Sequence, residues 1–288
     1  MRERELIVGV AGPFSGPRAA FGELLKNSCV HATRSSSLRI IFHDDMADAS
    51  QARSVARTLV RQGADIVVGH FSSECAHAAA ELYEKAGIPL LLPAATHPGL
   101  TSNRVSYRLC ANDLKQIDVI AGVVKTEDDG GAAIWSDGSA YAERLRELLT
   151  NTLPGLPEVV AMHANGNDPA MVICLGAYHR VSAFIRSVAD RRPDTRFICS
   201  DDCAIAAFAD SLDGQRNVRV AVPVPNFARC AELAFELIEQ FASDGNSDFC
   251  NWLDQTGRFE AREARCAKFG IEPLGTIYSQ DWEAISAI

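Results

Sequence analysis

Two adjacent serines lie where an α/β fold can bind an anion. Ser72 and Ser73 follow Asp65–Gly69, an apolar segment that predicts a buried strand, and precede Glu74–Ala86, which has helical spacing. Ligands of open α/β sheets bind beyond the carboxyl ends of strands, and a helix N-terminus there offers unpaired N–H groups and a partial positive charge. The placement therefore predicts a carboxylate site. The alternative is that one of the serines only caps the helix.

The sequence lacks the motifs of the common enzyme classes. It contains no C-x-x-C, H-E-x-x-H, G-x-S-x-G or G-x-x-x-x-G-K-[ST]. His70, His97 and His179 are candidate general bases, although such histidines more often serve packing or hydrogen bonding. Asp44 and Asp45 have no third metal ligand at a fixed spacing. We therefore expect no catalytic residue, no metal site and no cofactor.

Charge and cysteine content narrow the classes of partner. A net charge of -9 argues against nucleic acid and against a basic membrane-docking surface. No apolar run approaches the ~20 residues of a membrane helix, so direct membrane insertion is not expected.

The cysteines and the N-terminus bear on the location of the protein. The nine cysteines are odd in number and scattered along the chain. The first predicted strand begins after only five residues, which do not form an export signal. We expect free thiols and a cytoplasmic protein, the alternative being a periplasmic one whose signal was removed.

Short apolar strands alternate with stretches of helical spacing along the chain, which predicts right-handed βαβ units on parallel sheets. Two such series indicate two lobes, with a boundary in the polar stretch Asn112–Asp118 and a ligand cleft between the lobes. The predicted strands are Leu6–Val10, Leu38–His43, Asp65–Gly69, Pro89–Leu92, Tyr107–Leu109, Ala132–Trp135, Met171–Leu175, Arg196–Cys199 and Val218–Val222. The predicted helices are Ala19–Thr33, Ala49–Gln62, Glu74–Ala86, Ala140–Leu149, Val181–Ala189, Ala204–Ala209 and Ala228–Phe241.

Several segments of the first half resemble one family in register. The segment Ile7–Gly22, which reads IVGVAGPFSGPRAAFG, is similar to the N-terminal strand and turn of type I periplasmic binding proteins. The likeness continues through Asp44-Asp45, Gln51-Ala52, Val67–His70 and Pro93–Pro98. Together these resemble the leucine/isoleucine/valine-binding proteins, densely over residues 5–112 and more loosely to about 282. The resemblance implies an α/β fold of two lobes, each a parallel sheet flanked by helices, with the ligand between them.

The resemblance also implies how the chain is shared between the lobes. Lobe 1, which would bind a carboxylate, takes residues 1–118 and about 223–248. Lobe 2 takes residues 119–222 and about 249–288. Compared with typical family members, lobe 2 is shortened by some thirty residues or more between Val222 and Asn226.

By the same resemblance, both lobes contribute to the ligand site. Residues matching Ser73, Ala94 and Thr96 hold the α-carboxylate of an amino acid through hydroxyl and backbone groups. Asp201 matches a glutamate that receives the ammonium group. Because Asp202 follows, the assignment between the two aspartates is open, and either one can instead cap the next helix.

Aromatic residues complete the site that the resemblance implies. Phe21 matches a position often held by Tyr, and Phe71 would line the side-chain pocket beside Ser72. Tyr141 and Tyr178 match second-lobe aromatics that close over the ligand. The alternative for each aromatic residue is simple core packing.

Three functions fit these features. The first is reversible binding of a small amino acid or amino-acid-like ligand of branched-chain or aliphatic type by hinge closure, as the substrate-binding component of an ABC transporter that meets a membrane permease. The second is a cytoplasmic sensor of an amino acid or amide that signals to a regulatory protein partner, which the free cysteines, the absent export signal and the shortened second lobe favour. The third is a scaffold that binds nothing.

Overall fold

The structure, a computed structural model, describes residues 5–32, 38–127, 131–159, 169–212, 214–215, 217–265 and 267–273. Contacts divide the chain into two compact units. Unit 1 comprises Met1–Asn112 and Pro225–Ala267, and unit 2 comprises Asp113–Val224 and Lys268–Ile288. Both units have the predicted α/β architecture of a largely parallel sheet with helices.

Unit 1 contains a seven-stranded sheet in the order β10-β11-β5-β4-β3-β1-β2, in which β10 and β11 pair antiparallel and the other pairs are parallel. Its core lies between the sheet and helices α2 and α3, where Leu59 and Tyr83 are fully buried. The strands are β1 Leu6–Gly12, β2 Leu38–Asp44, β3 Ile66–Gly69, β4 Leu90–Leu92, β5 Ser106–Arg108, β10 Phe259–Glu260 and β11 Glu263–Ala264. The helices are α1 Ala19–Ala32, α2 Ala49–Arg61, α3 Ser73–Ala86, α8 Phe227–Ser243 and α9 Phe249–Gln255, with a 3-10 turn at Pro98–Thr101.

Unit 2 contains a five-stranded sheet in the order β12-β9-β8-β7-β6, in which only β12 is antiparallel to its neighbour. The strands are β6 Ala132–Ser136, β7 Met171–Leu175, β8 Arg196–Cys199, β9 Val218–Val224 and β12 Lys268–Pro273. The helices are α4 Asp113–Glu127, α5 Ala140–Thr152, α6 Tyr178–Ala189 and α7 Ala206–Ser211, with a 3-10 turn at Asp201–Cys203.

The chain passes between the units at 112/113, which lies within the polar stretch Asn112–Asp118, at 224/225 and at 267/268. From Asp113 onward this stretch forms the first turns of α4, in which Asp113, Gln116 and Ile117 are buried. Residues 249–267, expected in the second lobe, lie in unit 1. They are held there because the Tyr107 hydroxyl donates to Asp254 at 2.9 Å and the Tyr107 ring packs against Phe259.

A buried ion pair fastens the same segment to the sheet of unit 1. Arg108, on β5, is fully buried and donates to the Glu263 carboxylate on β11 at 3.1 Å. Its guanidinium also donates to the carbonyl oxygen of Pro98 at 3.0 Å, and Asn112 donates to the second Glu263 oxygen. A buried guanidinium needs such partners, so the β10–β11 hairpin is an integral part of unit 1.

Candidate functional site

In unit 1, the predicted carboxylate residues meet at the carboxyl ends of β3 and β4, which are neighbours in the sheet. Ser73 opens α3, and its hydroxyl accepts a hydrogen bond from the backbone N–H of His97 at 3.2 Å. His97 closes the loop after β4 that carries Ala94 and Thr96, both of which are buried. This bond brings the two predicted segments together.

The two serines have separate roles in the structure. Ser72 is the N-cap of α3, and its hydroxyl accepts from the N–H of Cys75 at 3.3 Å. The capping alternative is therefore correct for Ser72, while Ser73 binds the neighbouring loop instead of its own helix. Gly69, at the end of β3, has a φ of +122°, and a Cβ there would overlap the carbonyl oxygen of Ala11. The tight turn into the serines thus needs glycine at this position.

Phe21 and Phe71 belong to one aromatic cluster in unit 1. Their ring centroids are 4.5 Å apart, and Phe227 packs edge-on against Phe71 at 5.6 Å. All three side chains are almost fully buried. Phe227 begins α8, the helix that returns to unit 1, and sequence analysis missed it as a cluster member. Only the spacing of the α8 apolar face could have indicated it.

In unit 2, three predicted residues lie at the carboxyl ends of adjacent strands. Tyr141 follows β6 on α5, Tyr178 begins α6 after β7, and Asp201 follows β8. The Tyr141 hydroxyl donates a short hydrogen bond to the Asp201 carboxylate. The backbone N–H of Tyr178 donates to the Asp202 carboxylate at 2.8 Å.

The two aspartates therefore differ in what they bind. Asp202 accepts a hydrogen bond at the N-terminus of α6, where the N-cap residue Ala177 makes no side-chain cap bond. Neither aspartate caps the helix that follows them, because α7 begins at Ala206 with Ile205 as its N-cap and no side-chain cap bond. The alternative in which they cap that helix is wrong. The carboxylate that accepts the hydrogen bond from the predicted Tyr141 is that of Asp201.

Three further residues of unit 2 surround this pair, and sequence analysis missed all of them. The side-chain oxygen of Gln116 accepts from the Asp201 N–H at 3.0 Å. Asp113 accepts from Arg144 at 2.9 Å, and the Arg144 guanidinium lies 5.6 Å from the centre of the Tyr141 ring. Their spacing in the sequence could have indicated these residues, since residues three apart share one helix face. Asp113 and Gln116 are related in this way on α4, and Tyr141 and Arg144 on α5.

The electrostatics of this cluster favour a protonated tyrosine beside a carboxylate. Burial, followed by the negative charges of Asp201 and Asp113, raises the pKa of Tyr141 well above its ordinary value. The hydroxyl therefore remains a hydrogen-bond donor at physiological pH. The arrangement presents a fixed carboxylate, which can accept hydrogen bonds from a cationic group.

The three candidate bases have structural partners. His70 is fully buried between Asp45 and Tyr83, and His97 Nδ1 accepts from the Gly99 N–H at 3.0 Å. The His179 ring packs edge-on against Tyr178. Among the described residues, no group of three or more His, Cys, Asp or Glu side chains has the geometry to hold a metal ion.

The eight cysteines in the described part of the chain are free, and all but one are buried. Burial and the charge of Asp45 raise the pKa of the Cys75 thiol to about 12, so this neighbour of the serines is a protonated thiol.

A cavity of about 630 Å³ opens elsewhere in unit 1, beside Leu6, Ile66 and Phe249. It lies at the amino ends of β1 and β3, opposite the predicted site residues.

None of the helices in the described part of the chain has both the length and the apolar character needed to cross a membrane.

Comparison with known proteins finds one family and a consistent set of relatives. A profile of the family described as "Periplasmic binding protein" matches residues 5–173. Leu/Ile/Val-binding protein homolog 2 of Brucella abortus (strain 2308) is 30% identical over 226 residues, which cover 68% of this chain and 61% of that protein. An amino acid binding protein of Pseudomonas aeruginosa is 27% identical over 248 residues, covering 75% and 65%. The chain thus spans less than two thirds of the length of these relatives.

Solved structures of low sequence identity share the fold. The branched-chain amino acid transporter substrate binding protein LivJ of Streptococcus pneumoniae, in complex with isoleucine, matches with a TM-score of 0.79 at 17% identity, covering 93% of this chain and 100% of that one. The leucine binding protein LivK of Thermotoga maritima matches with a TM-score of 0.77 at 16% identity, covering 93% and 98%. The fold expected from the sequence is confirmed.

Proposed function

Because this chain belongs to the periplasmic binding protein family, we propose that it binds a small aliphatic amino acid of the branched-chain type reversibly and catalyses no reaction. The observation that carries the proposal is the Asp201 carboxylate, fixed by Tyr141 and Gln116 at the strand ends of unit 2. It is suited to an ammonium group. The names of the relatives support the ligand class, since they include Leu/Ile/Val-binding proteins.

The polar groups of unit 1 suit the other end of an amino acid. Ser73, the N–H groups at the start of α3 and the buried Thr96 provide hydrogen-bond donors beside a helix N-terminus. A carboxylate is the ligand group that such donors favour. Ala94 would contribute backbone groups, and Phe21 and Phe71 would provide apolar contact for the side chain.

The mode of binding that we propose is hinge closure, in which the ligand contacts both units and stabilises a closed state. In this role the chain would deliver its ligand to the permease of an ABC transporter. Small-angle scattering tests the closure: addition of leucine should reduce the radius of gyration, and an unchanged value in the presence of bound leucine would contradict it.

A second candidate is a sensor of an amino acid or amide that signals to a protein partner. Free thiols at all eight described cysteines favour it. The cytoplasmic location expected from those thiols has no support from the family or the relatives, which favour the periplasm. Copurification separates the two candidates, because a transport protein would bind a membrane permease and a sensor a regulatory protein.

Thermal unfolding against a panel of amino acids and their amides tests the ligand class. A ligand present at 100 times its Kd should add about 2.7 kcal/mol to the free energy of unfolding. We expect a shift with leucine, isoleucine or valine that Ser73→Ala and Asp201→Asn both abolish. Asp202→Asn is the matched control for Asp201 and should retain the shift. A shift with amides that survives Asp201→Asn would favour the sensor, and no shift with any compound would favour a scaffold.

A further inference from the structure

A chain of three buried polar side chains lies behind the turn between β3 and α3. His70 Nδ1 is 2.7 Å from the Asp45 carboxylate, and His70 Nε2 is 3.0 Å from the Tyr83 hydroxyl. All three residues are fully buried in unit 1. Because these side chains have no access to water, they need hydrogen-bond partners within the protein. His70 finds both of its partners in Asp45 and Tyr83, and Asp45 also accepts from the backbone N–H of Ala47 at 3.0 Å.

These residues come from three parts of unit 1. Asp45 follows β2, His70 follows β3, and Tyr83 lies in the third turn of α3. The Asp45 N–H also donates to the carbonyl oxygen of Gly12 at 3.0 Å, at the end of β1. The chain of bonds therefore ties the carboxyl ends of three strands to α3.

One tautomer of His70 satisfies both of its hydrogen bonds. Burial, with the charge of Asp45 adding to it, raises the pKa of Tyr83 above its ordinary value, so its hydroxyl is a donor. In the tautomer of His70 with its proton on Nδ1, that hydroxyl donates to His70 Nε2 and the Nδ1 N–H donates to the Asp45 carboxylate. Every donor in the chain then meets an acceptor.

We propose that His70 is a positioning residue for the carboxylate of the ligand, an inference that rests on the proposed function. His70 immediately precedes Phe71, Ser72 and Ser73, so its ring fixes the backbone where the chain leaves β3. Removing the Tyr83 hydroxyl would leave His70 Nε2 buried without its partner. The turn would then shift to satisfy this nitrogen, and the Ser73 hydroxyl and the first N–H groups of α3 would lose their alignment.

A matched pair of variants tests the inference. Tyr83→Phe and Tyr107→Phe each remove one phenolic hydroxyl from a fully buried ring of unit 1. The Tyr107 hydroxyl bonds to Asp254 and to the carbonyl oxygen of Cys250, which belong to α9 and not to the serine turn. We expect both variants to melt at a lower temperature. Only Tyr83→Phe should weaken leucine binding, by about tenfold in a calorimetric titration, the loss expected for one unsatisfied buried group.

The outcomes separate the inference from the proposed function. If the wild-type protein binds no amino acid, the proposed function fails and the inference falls with it. If the wild type binds leucine and Tyr83→Phe binds it equally well, or if both variants lose affinity equally, His70 has no positioning role. If Tyr83→Phe does not fold, Asp45→Asn replaces it in the test, because the asparagine keeps the shape of the side chain and one acceptor oxygen. We expect Asp45→Asn to weaken leucine binding by a smaller factor than Tyr83→Phe. Unchanged affinity of Asp45→Asn would overturn the inference.

Discussion

The backbone N–H of Asp201 donates to the side-chain oxygen of Gln116, 3.0 Å away, although the two residues are 85 positions apart. Gln116 lies on the first turns of α4, and Asp201 lies in the turn after β8. Both residues are buried. The bond fixes the main chain from which the proposed ammonium acceptor extends.

Gln116→Ala should therefore weaken the binding of leucine. The variant leaves the Asp201 N–H without its acceptor and allows the turn to move, which we expect to cost about 1–2 kcal/mol of binding free energy. Isothermal titration calorimetry measures the loss. Gln62→Ala, which removes an exposed bond to His43 in unit 1, is the control and should bind normally. Equal affinity of the wild type and Gln116→Ala would contradict this role.

Tyr141→Phe should lower the free energy of unfolding. It removes the donor to a buried carboxylate, and hydrogen bonds to charged groups contribute about 1.5–3 kcal/mol. Urea unfolding followed by circular dichroism measures the change. A variant as stable as the wild type would show that the Tyr141–Asp201 bond contributes nothing to folding.

Glu263→Gln should destabilise unit 1 through Arg108. The substitution leaves the fully buried guanidinium without its carboxylate, and breaking such a pair costs about 3–5 kcal/mol, with the lower value expected because Glu263 is partly exposed. Chemical unfolding gives the magnitude, and limited proteolysis reports release of the β10–β11 hairpin. Glu260→Gln on the same hairpin, whose partner Arg265 is exposed, should have little effect. Equal stability of the two variants would contradict the assignment.

Stability should fall in alkaline solution. The pKa values of Tyr83, Tyr107 and Tyr141 are raised mainly by burial. A folded-state pKa above the unfolded value of 10 means that the unfolded chain loses these protons first. The stabilisation is thus complete below pH 10 and is lost as pH rises towards the folded-state values. A spectrophotometric titration should show these tyrosines ionising together with the loss of helical ellipticity; ionisation of all five tyrosines in a folded protein would contradict the burial.

Buried strands were readily predictable from the sequence. β7 and β8 have the predicted bounds, because β7 and the last three residues of β8 are apolar and buried on both faces. Helix α4 was missed because its first turn is polar. Asp113 and Gln116 are buried there only by virtue of Arg144 and Asp201, partners that local spacing cannot reveal.

Only part of the candidate site could be predicted from the sequence, for the same reason. The resemblance indicated Ser73 and Asp201, but their bonds reach His97 and Tyr141, which lie 24 and 60 positions away. The choice between Asp201 and Asp202 depended on the cap of α6, which is visible only in three dimensions. Similarly, the division of residues 249–267 between units depended on their contacts with Tyr107 and Arg108.

A calorimetric titration of the wild-type protein and Asp201→Asn with L-leucine tests the proposed function most directly. The account predicts saturable binding to the wild type with one leucine per chain, and a loss of at least about tenfold in affinity for Asp201→Asn, because the amide removes the charge that the ammonium group would meet. Absence of binding to the wild type, or equal affinity of the two proteins, would contradict it.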